Sequence, residues 1–417
     1  MGKISFPEIL LPAFKNTEDW QRWAVVACDQ FTSQPSYWEE AEKIVGDAPS
    51  ALRLILPEIY LEEPDADVRI AAINSNMNAY LENGVFDEPV TGPVLVERSA
   101  GNGVRLGLMA CLDLEEYNYS ADSASLVRAT EGTVTSRIPP RMKIRKNASL
   151  ELPHVLVLID DPAHRIIEPL AECQSRVLYD FDLMLGGGHV KGLEIVDGKA
   201  AKAALEALNS LDLLAVGDGN HSLASAKCHW EELKKAGAGP DHPARYAMVE
   251  IENIHDPAIV FEPIHRVLFN VDPYVFFDEM EGFYLDKAAY MEAVTEIGKA
   301  PEYPGCHTVL YRAPGHSGFI FIDREVHELA VGALQAFLDD FLARHTECCI
   351  DYIHGDETVT ELARQKGNMG FYLPPIDKGS FFNAIRKNGP MPRKTFSMGE
   401  AREKRYYIEC RKIGARG

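Results

Sequence analysis

Two rhythms of apolar and polar residues run along this chain. Trp23 to Cys28, Pro93 to Glu97 and Val104 to Leu112 are short β-rich runs that predict strands, whereas Ala66 to Asn83 carries its apolar residues at helical spacing. Ser99-Ala100-Gly101-Asn102-Gly103 predicts a hairpin connection. His154 to Ile159 reads as a strand stopped by Asp160-Asp161-Pro162, and Lys199 to Leu208 as a helix of good formers. Leu211 to Val216 is an apolar strand that feeds Gly217-Asp218-Gly219-Asn220-His221 and then a helix through Lys235. Arg245 to Ile251 and Gly318 to Ile322 predict further strands, Val326 to Arg344 an amphipathic helix, and Tyr406 to Cys410 a last strand. The pattern predicts an α+β fold of mixed sheets with flanking helices. A main domain over residues 1–271 carries the informative turn, and a smaller C-terminal lobe covers 272–417, the break falling in the polar stretch Asn270 to Pro273.

Charge narrows the partners. Lys and Arg number 42 against 63 Asp and Glu, a net charge of -21, which disfavours nucleic acid or an anionic membrane as partner. No apolar run approaches the roughly 18 residues of a membrane span, and no signal-peptide pattern opens the chain, so a cytoplasmic protein with a small polar or phosphorylated ligand is expected. Its oligomeric state is left open. The eight cysteines are scattered, without metal or redox spacing; reduced thiols and no resident metal site are expected, with Cys348 and Cys349 as small buried residues.

Two clusters offer chemistry. A glycine-containing turn between strand and helix presents free N–H groups and the positive end of a helix dipole, which suits phosphate. There Gly217 and Gly219 allow close backbone approach, Asp218 offers a carboxylate for Mg²⁺ or a hydroxyl proton, and Asn220, His221 and Ser222 offer donors. The alternative is that Asp218 only caps the helix. The second cluster is basic. Arg137, Arg141 and Arg145 recur every fourth residue around Pro139-Pro140, with Arg128 upstream, as a comb for a polyphosphate or as a solvated, salt-bridged helix face. Glu131 precedes the comb as an acid/base group or an arginine partner. Gly186-Gly187-Gly188-His189 resembles a phosphate loop in composition, but strand-like residues follow it, which favours a hairpin turn.

Through Arg53 to Glu58, Arg128 to Arg145, His154 to Pro162, Gly217 to His221, Pro263 to Leu268 and Met391 to Thr395, nearly the whole chain resembles a largely uncharacterised bacterial and archaeal family, domain of unknown function 1015. The loop also resembles the D-G-H-H-R-type box of the ParB/sulfiredoxin-like superfamily, which includes an ADP-dependent free-serine kinase. Asp218, Gly219 and His221 match that box; Asn220 replaces its first histidine and Ser222 its arginine. The resemblance implies a nucleotide-phosphate contact at a helix start, with ADP or ATP and Mg²⁺ as the expected cofactors. A small-metabolite phosphotransferase is the leading expectation, with Asp218, Glu131 and His221 as catalytic candidates. A noncatalytic nucleotide- or metabolite-binding module is the alternative. A hydrolase built on His221 and Asp218 lacks a recognisable nucleophile elbow.

Overall fold

The computed structural model describes residues 2–101, 103–120, 122–295 and 303–414. Two compact units emerge: one of residues 1–260 with 399–417, and one of residues 261–398. The sequence division at 271 therefore compares with a structural one at 260, and the last stretch of chain returns to the first unit.

The first unit is built on a large mixed sheet. Its strands run, edge to edge, Tyr117–Asn118, Val127–Ala129, Leu214–Asp218, Leu156–Ile159, Tyr246–Asn253, Gly103–Asp113, Val94–Ala100, His189–Ile195 and Ser175–Asp182. Both faces are covered. Leu95, Leu108, Ala110 and Leu112 point into one apolar cluster, while their neighbours Val94, Val96, Met109 and Cys111 point into another on the opposite face. Burial on both sides explains why Leu156–Ile159 is an unbroken apolar run rather than an alternating one. The helices Gly198–Ser210 and Asn220–Lys235 pack Ala204, Leu208, Leu223 and Trp230 onto the first face.

In the second unit every strand pairing among the described residues is antiparallel, in the order Met291–Val294, His316–Asp323, Cys306–Ala313, Asn368–Tyr372, Phe261–Phe269 and Cys349–His354. Phe337 and Phe341 of the helix Ala330–Arg344 meet Phe276 edge-on, with ring centroids 5.1 and 5.4 Å apart. His265 is a core histidine: its Nδ1 accepts from the Leu373 N–H at 3.1 Å, and its Nε2 meets the Asp356 carboxylate at 2.8 Å. Arg266 is fully buried and donates to the carbonyls of Arg393 and Lys394. The basic turn at Pro392 to Thr395 thus serves as an acceptor for a core arginine.

Several expectations change. Trp23 closes a helix, Thr17–Trp23, whose start is capped by Asn16 accepting from the Asp19 N–H, so the strand there shrinks to Val25–Val26. The strand expected over Tyr406 to Cys410 shortens to Tyr406–Tyr407, and a further two-residue strand, Arg411–Lys412, follows it. Cys349 is exposed and Cys348 half-buried, its thiol donating to the Asn270 carbonyl, so neither is a buried apolar filler. The hairpin at Ser99 to Gly103 joins two paired strands, with Asn102 outside the described residues. Gly186 to His189 connects two antiparallel strands.

Candidate functional site

The strand Leu214–Asp218 ends in a β-bulge. Val216 pairs with Val157, but the next partner of Leu156 is Asp218, so Gly217 is the extra residue and the strand bends there. Gly219 follows with φ +80°, a left-handed conformation that favours glycine, and a side chain on it would crowd Val155 and His154. The helix Asn220–Lys235 begins immediately, and its first intrahelical bond is Leu223 N–H to Gly219 O. The N–H groups of Asn220, His221 and Ser222 therefore lack intrahelical partners. Among the described residues no side chain caps them, and the first turn carries no acidic residue.

Asn220 fixes this turn to the neighbouring strand. Its Oδ1 accepts from the Thr130 N–H at 3.3 Å, its Nδ2 donates to Thr130 Oγ1 at 3.2 Å, and that hydroxyl donates to the Val216 carbonyl at 2.6 Å. Its side chain is thus committed to holding loop and helix together. Glu131 follows Thr130 directly, half-buried. The Nε2 of His221 accepts from the Val134 N–H at 3.2 Å, which puts the proton of the neutral ring on Nδ1. Burial, with Arg141 and Arg137 next in weight, lowers the His221 pKa to about 4, against a smaller upward pull from Asp29. The ring is neutral at physiological pH. Ser222 sits half-buried in the first helical turn.

Asp218 does not cap the helix; it binds the N–H of the N-cap residue, Gly219, and a lysine. Its Oδ1 accepts from the Gly219 N–H at 2.9 Å, while Oδ2 lies 3.3 Å from Lys404 Nζ. Burial works to raise its pKa, yet Lys404, His154 and the Gly219 N–H together hold it below the ordinary value. It is a persistent anion.

The basic segment divides. Ile138–Lys146 is a helix opened by its prolines, as the pattern predicts. Arg141 donates to the Arg137 carbonyl and pairs with Glu58, and both Arg141 and the exposed Arg137 lie within electrostatic reach of His221. Arg145 is drawn elsewhere: it meets the buried Glu151 at 2.6 Å, which also holds Arg411, so it leaves the comb for a core ion pair. Arg128 faces Ala215 across the strand pair and gives its Nε–H to the Ser125 carbonyl. Lys143 and Lys146 form exposed pairs with Asp67 and Glu232, the solvated-face reading of the same helix.

Tyr407, His154, Cys28, Glu58 and Lys404 complete the cluster. Tyr407 shares a 2.6 Å hydrogen bond with His154 Nδ1 and receives the Cys28 N–H, Glu58 N–H donates to the Cys28 carbonyl, and Lys404 holds Asp218. Burial, Asp29 and Glu58 push the Cys28 thiol up, so it stays protonated. The fragment Arg53 to Glu58 and His154 were visible as motifs, but nothing local in the sequence brings Lys404 or Tyr407 here.

His221 and His229 have a shared consequence. Both have pKa values lowered to about 4 from 6.5, with burial as the largest cause. Between those values the unfolded chain takes up protons that the native histidines refuse. Stability is therefore complete above the unfolded value and falls as pH drops toward about 4. Urea midpoints should fall between about pH 7 and about pH 5, and the drop should shrink in a His221→Gln, His229→Gln variant. An unchanged pH slope in that variant would assign the acid sensitivity to other groups.

The geometry defines an α/β protein with an uncapped, cation-flanked helix start beside a strand end. By sequence, the chain belongs to the DUF1015 family of proteins of unknown function, which matches residues 11–408. No curated protein matches it. Among solved structures, a C-terminally truncated SbnI from Staphylococcus aureus is similar at 10% identity and TM-score 0.36, over 74% of this chain and 84% of that one. A variant free serine kinase in complex with ADP is similar at 12% identity and TM-score 0.40, over 73% and 91%. A conserved hypothetical protein from Pyrococcus furiosus is similar at 11% identity and TM-score 0.34, over 72% and 90%.

Among the described residues, no helix is long and apolar enough to cross a membrane.

Proposed function

We propose that this protein is a cytoplasmic phosphotransferase that moves a phosphoryl group between a nucleotide, ADP or ATP, and a small polar metabolite, using a ParB/sulfiredoxin-like phosphate loop. One observation carries the reading: the helix Asn220–Lys235 starts without a cap, directly after a left-handed glycine, with Arg141 and Arg137 within electrostatic reach of His221 and Lys404 at the preceding Asp218. Free N–H groups, a helix dipole and guanidinium groups together stabilise phosphoryl charge. His221 adds a neutral Nδ1–H donor. Asp218, held ionised by Lys404, suits orientation of that lysine better than proton abstraction, which leaves Glu131 as the acceptor of a substrate hydroxyl proton. Among the described residues no group of three or more His, Cys, Asp or Glu side chains is arranged to hold a metal ion. Mg²⁺ would therefore enter with the nucleotide phosphates rather than occupy a protein cage.

A second reading, a noncatalytic nucleotide or metabolite sensor, draws support from the same site. The acceptor nitrogen of His221 is occupied by the Val134 N–H, and Asp218 by Lys404, so both groups are already engaged in the free protein. The test is a thermal-shift screen with ADP, ATP, CTP and pyrophosphate, with and without Mg²⁺. A nucleotide should raise Tm, by a shift equivalent to about 2.7 kcal/mol at 100 times Kd. Asp218→Ala and Arg141→Ala should each abolish that rise while leaving the far-UV circular dichroism intact. No shift with any ligand at millimolar concentration would defeat both readings. A nucleotide that binds and is recovered unchanged after incubation with amino acids and sugars would select the sensor.

A further inference from the structure

His154 stands beside the helix start, yet phosphoryl transfer as described above gives it no task. It precedes the strand Leu156–Ile159, and its ring meets that of Tyr407 edge-on, with centroids 5.5 Å apart at 87°. Its Cδ2 lies 3.4 Å from the position that a methyl group on Gly219 would take, so this edge of the ring faces the left-handed glycine just ahead of the helix Asn220–Lys235. Nε2 is bonded to that carbon. Asp218, the residue before Gly219, lies within electrostatic reach of the same ring.

Hydrogen bonding decides which ring nitrogen carries the proton. The buried Tyr407 hydroxyl has one proton to give and two lone pairs to fill. Cys28 meets it twice, through its N–H at 3.3 Å and through its thiol, which burial keeps protonated. Thiol sulfur is a weak acceptor, so the hydroxyl proton goes instead to His154 Nδ1, 2.6 Å away. A neutral imidazole whose Nδ1 accepts carries its proton on Nε2. Among the described residues this Nε2 makes no hydrogen bond, and the ring is only half-buried, so an unspent N–H is open at the edge that faces Gly219. His221 is arranged in the same way, with its acceptor nitrogen filled by the Val134 N–H. Two neutral imidazoles thus bring N–H donors to one helix start, and neither has a free lone pair with which to take a proton.

We propose that His154 is a further phosphate-contacting residue, donating from Nε2 to an oxygen of the nucleotide's phosphate chain, and that Tyr407 is its positioning residue, holding the tautomer that can donate. The assignment rests on the phosphotransferase reading of the helix start. It gives the C-terminal segment a second task there, since Lys404 holds Asp218 and Tyr407, three residues on, sets the donor.

The test pairs titration calorimetry on the full chain, with ADP and Mg²⁺ as the probe, with nitrogen NMR of the histidine rings. In the free protein at neutral pH the His154 ring should show a protonated Nε2 and a bare Nδ1, and ADP should shift the Nε2 resonance. His154→Ala should weaken ADP about tenfold or more, the loss expected when a hydrogen bond to a charged group is removed. His154→Gln, whose amide can donate from near the Nε2 position, should stay within about threefold of wild type. Tyr407→Phe should weaken ADP about threefold and spread the His154 ring over both tautomers, a spectral change that a merely structural tyrosine would not cause. In the His154→Gln background the same Tyr407→Phe change should cost no further affinity. Wild-type affinity in His154→Ala beside lost affinity in Arg141→Ala overturns the assignment and leaves the nucleotide reading standing, as does a protonated Nδ1 in the free protein. Failure of the wild-type chain to bind ADP overturns both.

Discussion

Replacing Arg405 with methionine is expected to destabilise the protein by about 3–5 kcal/mol, the cost of stranding a buried charge after removal of its partner. Arg405 is 4% exposed; its Nη1 lies 2.7 Å from Glu250, and its Nη2 meets Glu409, whose other oxygen accepts the Tyr179 hydroxyl. Glu250 and Glu409 are essentially inaccessible to water. Methionine fills similar space but neutralises neither carboxylate. Urea denaturation at neutral pH measures the loss, and the midpoint should partly recover in an Arg405→Met, Glu409→Gln double variant, because one stranded charge is gone. A loss below about 1 kcal/mol, typical of a surface ion pair, would mean that water reaches this network.

Gly107→Ala is expected to be nearly as damaging, at about 3 kcal/mol or more, since overpacking alone costs about 1–3 kcal/mol and here it also dislodges a charged group. The Glu250 side chain folds directly over the space that a methyl group on Gly107 would fill, on the adjoining strand where Gly107 pairs with Glu252. The carboxylate would have to leave Arg405. Glu252 beside it is already perturbed: burial, countered by Arg105 and reinforced by Glu250, raises its pKa to about 8. If the clash is the cause, Glu250→Ala should cost far less in the Gly107→Ala background than in the wild type, a coupling of about 1–2 kcal/mol by double-mutant cycle. Additive effects would remove the steric explanation.

What could be read from the sequence was local. The strand, the glycine turn and the helix after Val216 follow from a short apolar run, two glycines and good helix formers, and the structure forms them from Leu214 to Lys235. The prolines at 139 and 140 likewise place the start of the basic helix. Spacing could not say which arginines serve the site. Arg141 and Arg145 lie one helical turn apart, yet one approaches His221 and the other is claimed by Glu151 and Arg411. That choice depends on partners far along the chain. Lys404 and Tyr407 escaped notice for the same reason, because they reach Asp218 and His154 only through tertiary return of the C-terminal segment. The Gly186 to His189 turn was legible as a hairpin, whereas the buried arginine that ties its carbonyl to the Arg402 carbonyl, Arg98, lies on another strand.

The interruption of the first unit by residues 261–398 also orders events during synthesis. Glu250 leaves the ribosome before the interrupting unit, and its counter-ion Arg405 only after it. Domains that fold as they emerge do so at the pace of translation, about 5–20 residues per second, so the nascent sheet spends several seconds with a buried glutamate, Glu250, whose arginine has not yet been made. A cell making this protein must tolerate, or chaperone, a half-built core that stays open until the final stretch arrives.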